Sequence, residues 1–391
     1  MLLASSVQNR HKSMRVKKHM FSLSPKTCKR CLGLSLVGMM AGAGWSSQPA
    51  AAQTDSPFCE TQDISADGVQ GRSYGDPHIN TFDGFHYAFQ TVGEFILTHS
   101  RDRAFEVQSR QAAVPNRSNL SLNTAVAMRV CDQRVAFYVQ DSPDGSNTLV
   151  WVDGDPVNVG DALALENGGE IQRQNDRNYT VIWPSGDQVS IKEISVSGAR
   201  FLNIMPMVSR AHMNDMAGLL GNFNGNPDDD LTSRGGATML ARSTYSIATK
   251  TLSLTQPASI SVYDLDTDFF EELNRLFGDI WLFYHAESLF DYPVGMTTAS
   301  FTNRNFPEQF LTFNGVSDTD LEAAIAECEA ADIPPEMMDG CVFDVAATGN
   351  PSFTNAAVGA VTDVILERAT NRIINEIERS ISITGGCGFT V

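Results

Sequence analysis

The sequence predicts a mainly β N-terminal domain, an antiparallel sandwich or stack of sheets, followed by a mainly α C-terminal region. Three observations carry this: short alternating segments with turn residues every 8 to 12 positions from about Tyr74 to Met207, a polar Ser/Thr-rich stretch after them, and a change to helical periodicity beyond. In the first part the strands are expected at Glu94 to Thr98, Phe105 to Arg110, Ala125 to Val130, Arg134 to Val139, Leu149 to Val152, Tyr179 to Trp183 and Gln188 to Ile194. Pro143 to Gly145, Asp153 to Pro156, Asn167 to Gly169 and Pro184 to Gly186 supply the turns between them.

Thr232 to Ser261 shows little periodicity and reads as a linker or a long excursion. Helices are expected at Thr267 to Phe277, at Asp318 to Ala330 and over Phe353 to Ser380. In the last, Val361, Val364, Ile365, Ile373, Ile377 and Ile381 recur at three- and four-residue steps, an apolar stripe expected to pack onto the protein's own domain, with a partner helix or a membrane as the alternatives. The expected division is a signal peptide over 1–52, an N-terminal segment over 53–71, the β-domain over 72–236, a polar linker over 237–266 and the helical region over 267–391.

The chain has 391 residues, with 28 Lys and Arg against 46 Asp and Glu, and 42% of it is hydrophobic. That is too apolar for a disordered chain and enough for two packed domains. Every charged residue among the first 52 is basic. Lys26, Lys29 and Arg30 precede an apolar run from Cys31 to Trp45, and small residues follow at Pro49 to Gln53, the order of a secretory signal peptide; Met14 and Met20 are alternative starts. The apolar run falls short of the roughly 20 residues that span a bilayer, and no transmembrane segment is expected after signal removal. The expected location is therefore secreted, extracellular or at the cell surface. The exported chain is strongly acidic, a surface that repels nucleic acid and attracts cations and basic partners.

Cys28 and Cys31 form a C-x-x-C that falls within the leader and carries no redox or zinc reading. Cys59, Cys131, Cys328, Cys341 and Cys387 remain, in a compartment that permits disulfides. Cys328 and Cys341, around a Pro-Pro turn, are the expected local pair. One thiol is left over, either reduced and buried or bonded to another chain.

Two polar motifs bracket the β-region. The first is Gly75-Asp76-Pro77-His78 followed by Thr81-Phe82-Asp83-Gly84; the second runs from Gly218-Leu219-Leu220-Gly221-Asn222-Phe223-Asn224-Gly225 through Asn226-Pro227 to Asp228-Asp229-Asp230-Leu231. The second places five oxygen-bearing side chains, Asn222, Asn224, Asp228, Asp229 and Asp230, within nine residues, around a turn made by Gly225 and Pro227. Hard cations such as Ca²⁺ take six to eight oxygen ligands, so the loop suits calcium. It is not an EF-hand, because the glycine falls at the wrong position and the final glutamate is missing.

Together with Tyr87, Phe89-Gln90 and Gly93-Glu94-Phe95, these motifs resemble the von Willebrand factor type D domain over roughly residues 72 to 236. The resemblance implies two stacked antiparallel sheets and a calcium site closed from both ends of the domain, with ligands Asp83, Asn222, Asn224, the backbone carbonyl of Asn226, Asp229 and Asp230. Three carboxylates in one pocket repel one another without a metal. Many animal members carry a cysteine in the Gly-Leu-x-Gly-Asn motif, where this chain has Leu220, and a dense disulfide framework. Cys131 is the only cysteine between residues 60 and 327, so this domain is expected to rely on its core and the metal, and disulfide-linked multimers do not carry over. A weaker resemblance, over about 278 to 350, rests on Trp281, Glu287-Ser288-Leu289-Phe290, Tyr292, Phe306-Pro307 and Cys341-Val342-Phe343-Asp344. These resemble the segment after type D domains in mucin-like and sushi-containing ectodomains.

The function implied is non-enzymatic adhesion or assembly outside the cell, toward an extracellular protein or glycan or another copy of the chain. In some relatives the Asp-Pro bond of Gly-Asp-Pro-His cleaves itself, which makes Asp76, Pro77 and His78 the candidates for self-processing: the Asp carboxylate attacks its own carbonyl, and His78 protonates the leaving proline nitrogen. An extracellular hydrolase is the remaining alternative, but H-E-x-x-H, G-x-S-x-G, P-loop and G-x-G-x-x-G patterns are all missing. The exported histidines His78, His86, His99, His212 and His285 are widely spaced.

Overall fold

The computed structural model describes residues 56–61, 68–239, 247–251, 259–263, 271–309 and 316–360. The expected signal peptide, Cys387, the first residues of the Thr267 to Phe277 helix and the chain beyond residue 360 lie outside them. The first four strands are short: β1 (Gly68–Gln70), β2 (Arg72–Tyr74), β3 (His78–Asn80) and β4 (His86–Ala88). Then come β5 (Gly93–Ser100), β6 (Phe105–Ala113), β7 (Ser121–Val130), β8 (Gln133–Tyr138), β9 (Val150–Val152) and β10 (Asp155–Val157). They are followed by β11 (Ala162–Ala164), β12 (Glu170–Asn175), β13 (Asn178–Ile182), β14 (Gln188–Val196), β15 (Ala199–Ser209) and β16 (Met216–Ala217).

Two antiparallel sheets result. One is nine-stranded in the order β11-β12-β13-β14-β15-β2-β3-β4, with β1 also paired to β15; the other is seven-stranded in the order β10-β9-β8-β7-β6-β5-β16. The seven strands expected from alternation all lie in these sheets. Alternation is cleanest in β13 and β14, where Tyr179, Val181, Val189 and Ile191 face inward and their neighbours are part-exposed, the pattern of a sheet with one solvated face. Val107, Val126, Met128 and Phe137 from the second sheet meet Ile171, Val181, Leu202 and Ile204 from the first in one buried core. β6 and β7 are buried nearly throughout, so their polar members need partners: Asn123 donates from Nδ2 to Ser73 Oγ at 2.9 Å.

Cys59 and Cys131 form a disulfide across a separation of 72 residues. This corrects the expectation of a domain held by core and metal alone. Phe58, beside Cys59, is fully buried against Phe105 with ring centroids 5.3 Å apart.

Past the second sheet, the stretch expected as a polar linker or a long excursion contains an antiparallel pair of strands, Ile247–Thr251 and Ser259–Tyr263. A turn of wide pitch at Glu272–Phe277 continues into α1 (Gly278–Trp281). Gly278 does not stop this helix because its backbone is right-handed, and a Cβ there would lie 3.1 Å from the Phe89 ring, so glycine permits the close approach. The segment after α1 is pinned by an ion pair with no exposure on either side: Arg110 Nε donates to Glu94 Oε1 at 2.7 Å, and Tyr292 Oη donates to Glu94 Oε2 at 2.6 Å. Phe290 and Phe301 stack on the guanidinium at 4.5 and 3.7 Å from their centroids, favourable contacts for a desolvated cation.

Helix α2 (Asp318–Ala330) occupies the expected span, capped where Ser317 Oγ accepts from Asp320 N. Helix α3 (Pro335–Thr348) starts with proline at its first turn, which helices tolerate, and ends at left-handed Gly349. The expected Cys328–Cys341 disulfide staples α2 to α3. Leu321, Ile325, Met337, Val342 and Phe343 form a second core with Tyr74, Phe201 and Met205 of the nine-stranded sheet, and Phe353, Ala356 and Ala360 join it. The helical region therefore packs onto the β-domain. Among the described residues no helix is long and apolar enough to cross a membrane.

Candidate functional site

Two polar centres lie at the two sequence motifs. The first is the loop after β16. Gly221 and Gly225 hold φ of +84° and +90°, and Phe223 is also left-handed at +50°, so the chain coils tightly over five residues. A Cβ on Gly221 would collide with Asp230 Oδ1, which makes the glycine a requirement of the carboxylate's position. Pro227 opens a short 3-10 turn, and Asn226 caps it by accepting from Asp228 N at 3.2 Å.

Asp83, 141 residues earlier in sequence, reaches this loop. Its Oδ2 accepts from Asn224 N at 2.8 Å and its Oδ1 from Gly225 N at 2.9 Å. Asp230 is 1% exposed; it accepts from Thr81 Oγ1 at 2.6 Å and from Asn222 N at 3.3 Å. Burial first, and then the neighbouring Asp83 charge, push the Asp230 carboxyl up to about 7. Asp229 Oδ1 accepts from the amides of Asn222 at 3.1 Å and Asn224 at 3.0 Å. Asn222 Oδ1 is buried without a hydrogen-bond partner. The Asn226 carbonyl accepts only a long bond from Asp229 N at 3.4 Å. The structure thus brings Asp83, Asn222, Asn224, Asp229 and Asp230 to one loop, with Asn226 at its rim, while Asp228 contributes its backbone N–H to the turn.

The second centre is the Gly-Asp-Pro-His turn between β2 and β3. Gly75 has φ +61°, and a Cβ there would stand 2.5 Å from Asp344 Oδ2 on α3. One turn earlier on the same helix, a Cβ on Gly340 would stand 2.7 Å from the Tyr74 hydroxyl and 3.0 Å from the His78 ring. Two glycines thus let helix and turn approach closely enough for their side chains to meet. His78 Nε2 lies 2.8 Å from Asp344 Oδ1 and 2.6 Å from Asp76 Oδ1. Only the Asp344 contact is aligned as a hydrogen bond. Burial opposes charge on the imidazole, but Asp344 and then Asp76 hold it protonated well above its usual range. Burial, and the Asp76 charge after it, raise Asp344 well above the usual carboxylate range. Asp76 Oδ1 and Oδ2 and Asp344 Oδ2 are buried with no hydrogen-bond partner. The main-chain carbonyl of Asp76 accepts from Gln90 Nε2 at 2.7 Å.

Among the described residues, Asp76, His78 and Asp344 are the group of three metal-ligating side chains whose ligand atoms all lie within 4.8 Å of one another. Asp83, Asp229 and Asp230 are more widely spread, with the Asn222 and Asn224 amides between them. Sequence reasoning found Asp76 and His78 but gave no site role to Asp344 or Gln90. Both stand in the motifs given above, but only the fold brings α3 and the loop between β4 and β5 to this turn.

Residues 71–237 match the family model described as von Willebrand factor type D domain. The chain is 28% identical over 194 residues to Mucin-4 of Rattus norvegicus, covering 43% of this chain and 7% of that protein. It is 26% identical over 303 residues to Sushi domain-containing protein 2 of Homo sapiens, covering 72% of this chain and 31% of that protein. The second similarity covers more of the chain than residues 71–237 contain, so it extends beyond the matched domain.

Proposed function

On the premise that residues 71–237 form a von Willebrand factor type D domain, we propose that this chain is a non-enzymatic extracellular protein of adhesion or assembly whose domain is closed by calcium. The observation that carries the reading is the convergence of Asp83 from the first motif on the Asn224-Gly225 backbone of the last. The residues present fit a hard divalent cation. The donors are all oxygen, Asn222 Oδ1 is buried and unpartnered, and Asp230 is so desolvated beside Asp83 that ionising it near neutral pH is costly. Asp83, Asn222, Asn224, the Asn226 carbonyl, Asp229 and Asp230 would hold the ion, which supplies positive charge where three carboxylates gather.

The similarity to Mucin-4 and to Sushi domain-containing protein 2 supports an extracellular or cell-surface setting, with an extracellular protein, a glycan or a second copy as partner. The test is retention of the purified chain on its native cells and matrix in calcium and in EDTA. Calcium-dependent retention that Asp83→Asn loses is the expected result. Equal retention in EDTA removes the role of calcium, and no retention in either removes the adhesive reading.

A second reading, self-processing between Asp76 and Pro77, is favoured by the hydrogen bond from Gln90 Nε2 to the carbonyl that would be attacked. An Asp76 carboxylate oxygen adds to its own main-chain carbonyl carbon. Gln90 stabilises the developing oxyanion, the bond to Pro77 N breaks, and His78 gives that nitrogen its proton. Water then opens the cyclic anhydride, so one water is consumed and a carboxyl and an imino terminus are formed. Sequencing after mild acid should find a new N-terminus at Pro77, with Gln90→Leu slowing its appearance at least tenfold. A chain that stays intact removes this reading.

A further inference from the structure

The trio of Asp76, His78 and Asp344 gathers more buried carboxyl oxygens than one imidazole nitrogen can satisfy. All three residues are buried, at 0%, 6% and 0% exposure. Nε2 carries at most one proton and offers it to Asp344 Oδ1, which leaves both Asp76 oxygens and Asp344 Oδ2 unpartnered. Buried polar atoms without partners are costly, and native proteins retain few of them without a ligand or a catalytic use.

We propose that Asp76, His78 and Asp344 form a binding site for a divalent transition metal ion of the zinc or manganese type, separate from the calcium loop. The donor set is one imidazole nitrogen and two carboxylates, a mixed nitrogen and oxygen set that suits such ions, whereas the calcium loop is all oxygen. Ligands bound at roughly 2.1 Å from one ion stand at most about 4.2 Å apart. The atoms here are close to that spacing: 2.6 and 2.8 Å separate Nε2 from the two carboxylates, and all three ligand atoms lie within 4.8 Å of one another. Replacing the shared proton by an ion needs only small side-chain rotations, and the unpartnered oxygens are then available as further ligands.

Gly75 and Gly340 allow this approach between the β2–β3 turn and α3, so the bound ion would cross-link the type D domain to the helical region. Asp344 lies outside the residues that match the domain model, so the site needs both parts of the chain. The proposal rests on this geometry and not on self-processing. A metal-bound trio would withdraw the Asp76 carboxylate and the His78 lone pair from that chemistry, so the metal-loaded chain would be the intact form.

The test uses the untagged full chain, saturated with calcium and then dialysed against zinc chloride at low micromolar concentration. Elemental analysis should find about one zinc ion per chain. Asp344→Asn and His78→Gln should each weaken zinc binding at least tenfold, as loss of one of three ligands does. Absence of zinc above the buffer blank in the wild-type chain overturns the proposal, as does undiminished binding in both variants. Should either variant fail to fold, cobalt titration of the wild-type chain decides. Visible absorption bands that zinc abolishes support the site, and their absence overturns it.

Discussion

Asp83→Asn is the sharpest perturbation of the proposed calcium loop because it keeps size and removes the charge. In the structure both Asp83 oxygens accept backbone N–H groups, from Asn224 at 2.8 Å and Gly225 at 2.9 Å. An asparagine keeps one acceptor and turns its amide nitrogen toward the other donor. One charge-assisted bond is lost, about 1.5–3 kcal/mol, reduced because the Gly225 contact is exposed. Relief of repulsion with Asp230 offsets part of that loss, so the chelated variant should be only modestly less stable than the chelated wild type. The larger difference should come with calcium. At a free concentration about twenty times a dissociation constant of ~10⁻⁴ M, binding contributes RT ln 21, about 1.8 kcal/mol. For a domain of this size that is a rise in Tm of roughly 4–7 °C. Differential scanning fluorimetry in EDTA and in about 2 mM calcium should show this rise for the wild type and less than about a third of it for Asp83→Asn. An equal calcium-induced shift in both proteins, or none in the wild type, would refute the argument that these carboxylates share one ion.

Other expectations concern the scaffold. Burial, and then the Arg103 charge, lower His99 to about 4, below the roughly 6.5 of an unfolded chain. Its contribution is complete above pH ~6.5. It is lost as pH falls toward 4, because the unfolded chain takes a proton the native state refuses, about 3 kcal/mol at most. Urea midpoints between pH 7 and 4.5 should fall less steeply for His99→Gln than for the wild type, and parallel slopes would contradict this. Glu94→Gln strips the charge that neutralises fully buried Arg110 and should cost roughly 3–5 kcal/mol in urea unfolding. The pair Glu94→Leu with Arg110→Met should cost less than Glu94→Gln alone, and the reverse order would count against a desolvated pair. Replacing Cys328 and Cys341 by alanine opens a loop of 13 residues and should cost about 3 kcal/mol; a loss below ~1 kcal/mol would mean the α2–α3 hairpin is held by packing.

The two-sheet domain was legible where burial is one-sided. In β13 and β14 every second side chain faces the core, and that period is visible in the sequence. Helix α2 was legible from its periodicity, and Ser317 caps it at its start. Helix α3 was hidden because Pro334-Pro335 reads as a turn, although proline also begins helices. The loop carboxylates were legible as a local cluster, but the arrival of Asp83 across 141 residues rested on family resemblance, since no local signal encodes it. The Asp344 contact spans 266 residues and depends on two glycines whose role is clear only when backbone meets backbone. The Cys59–Cys131 bond likewise joins positions 72 residues apart, beside the place where Phe58 packs against Phe105.

That disulfide straddles the Asp76–Pro77 bond. A break there would leave everything before Pro77 fastened to the rest through Cys59, with β1 and β2 still laid along β15. A nicked molecule would therefore keep its mass and outline until its thiols were freed, migrating as a single species without reductant and as two with it. Scission would alter neither what the chain releases nor what it can transmit under tension: the load path from the amino terminus crosses the sulfur bridge between Cys59 and Cys131 whether or not the loop it closes is cut.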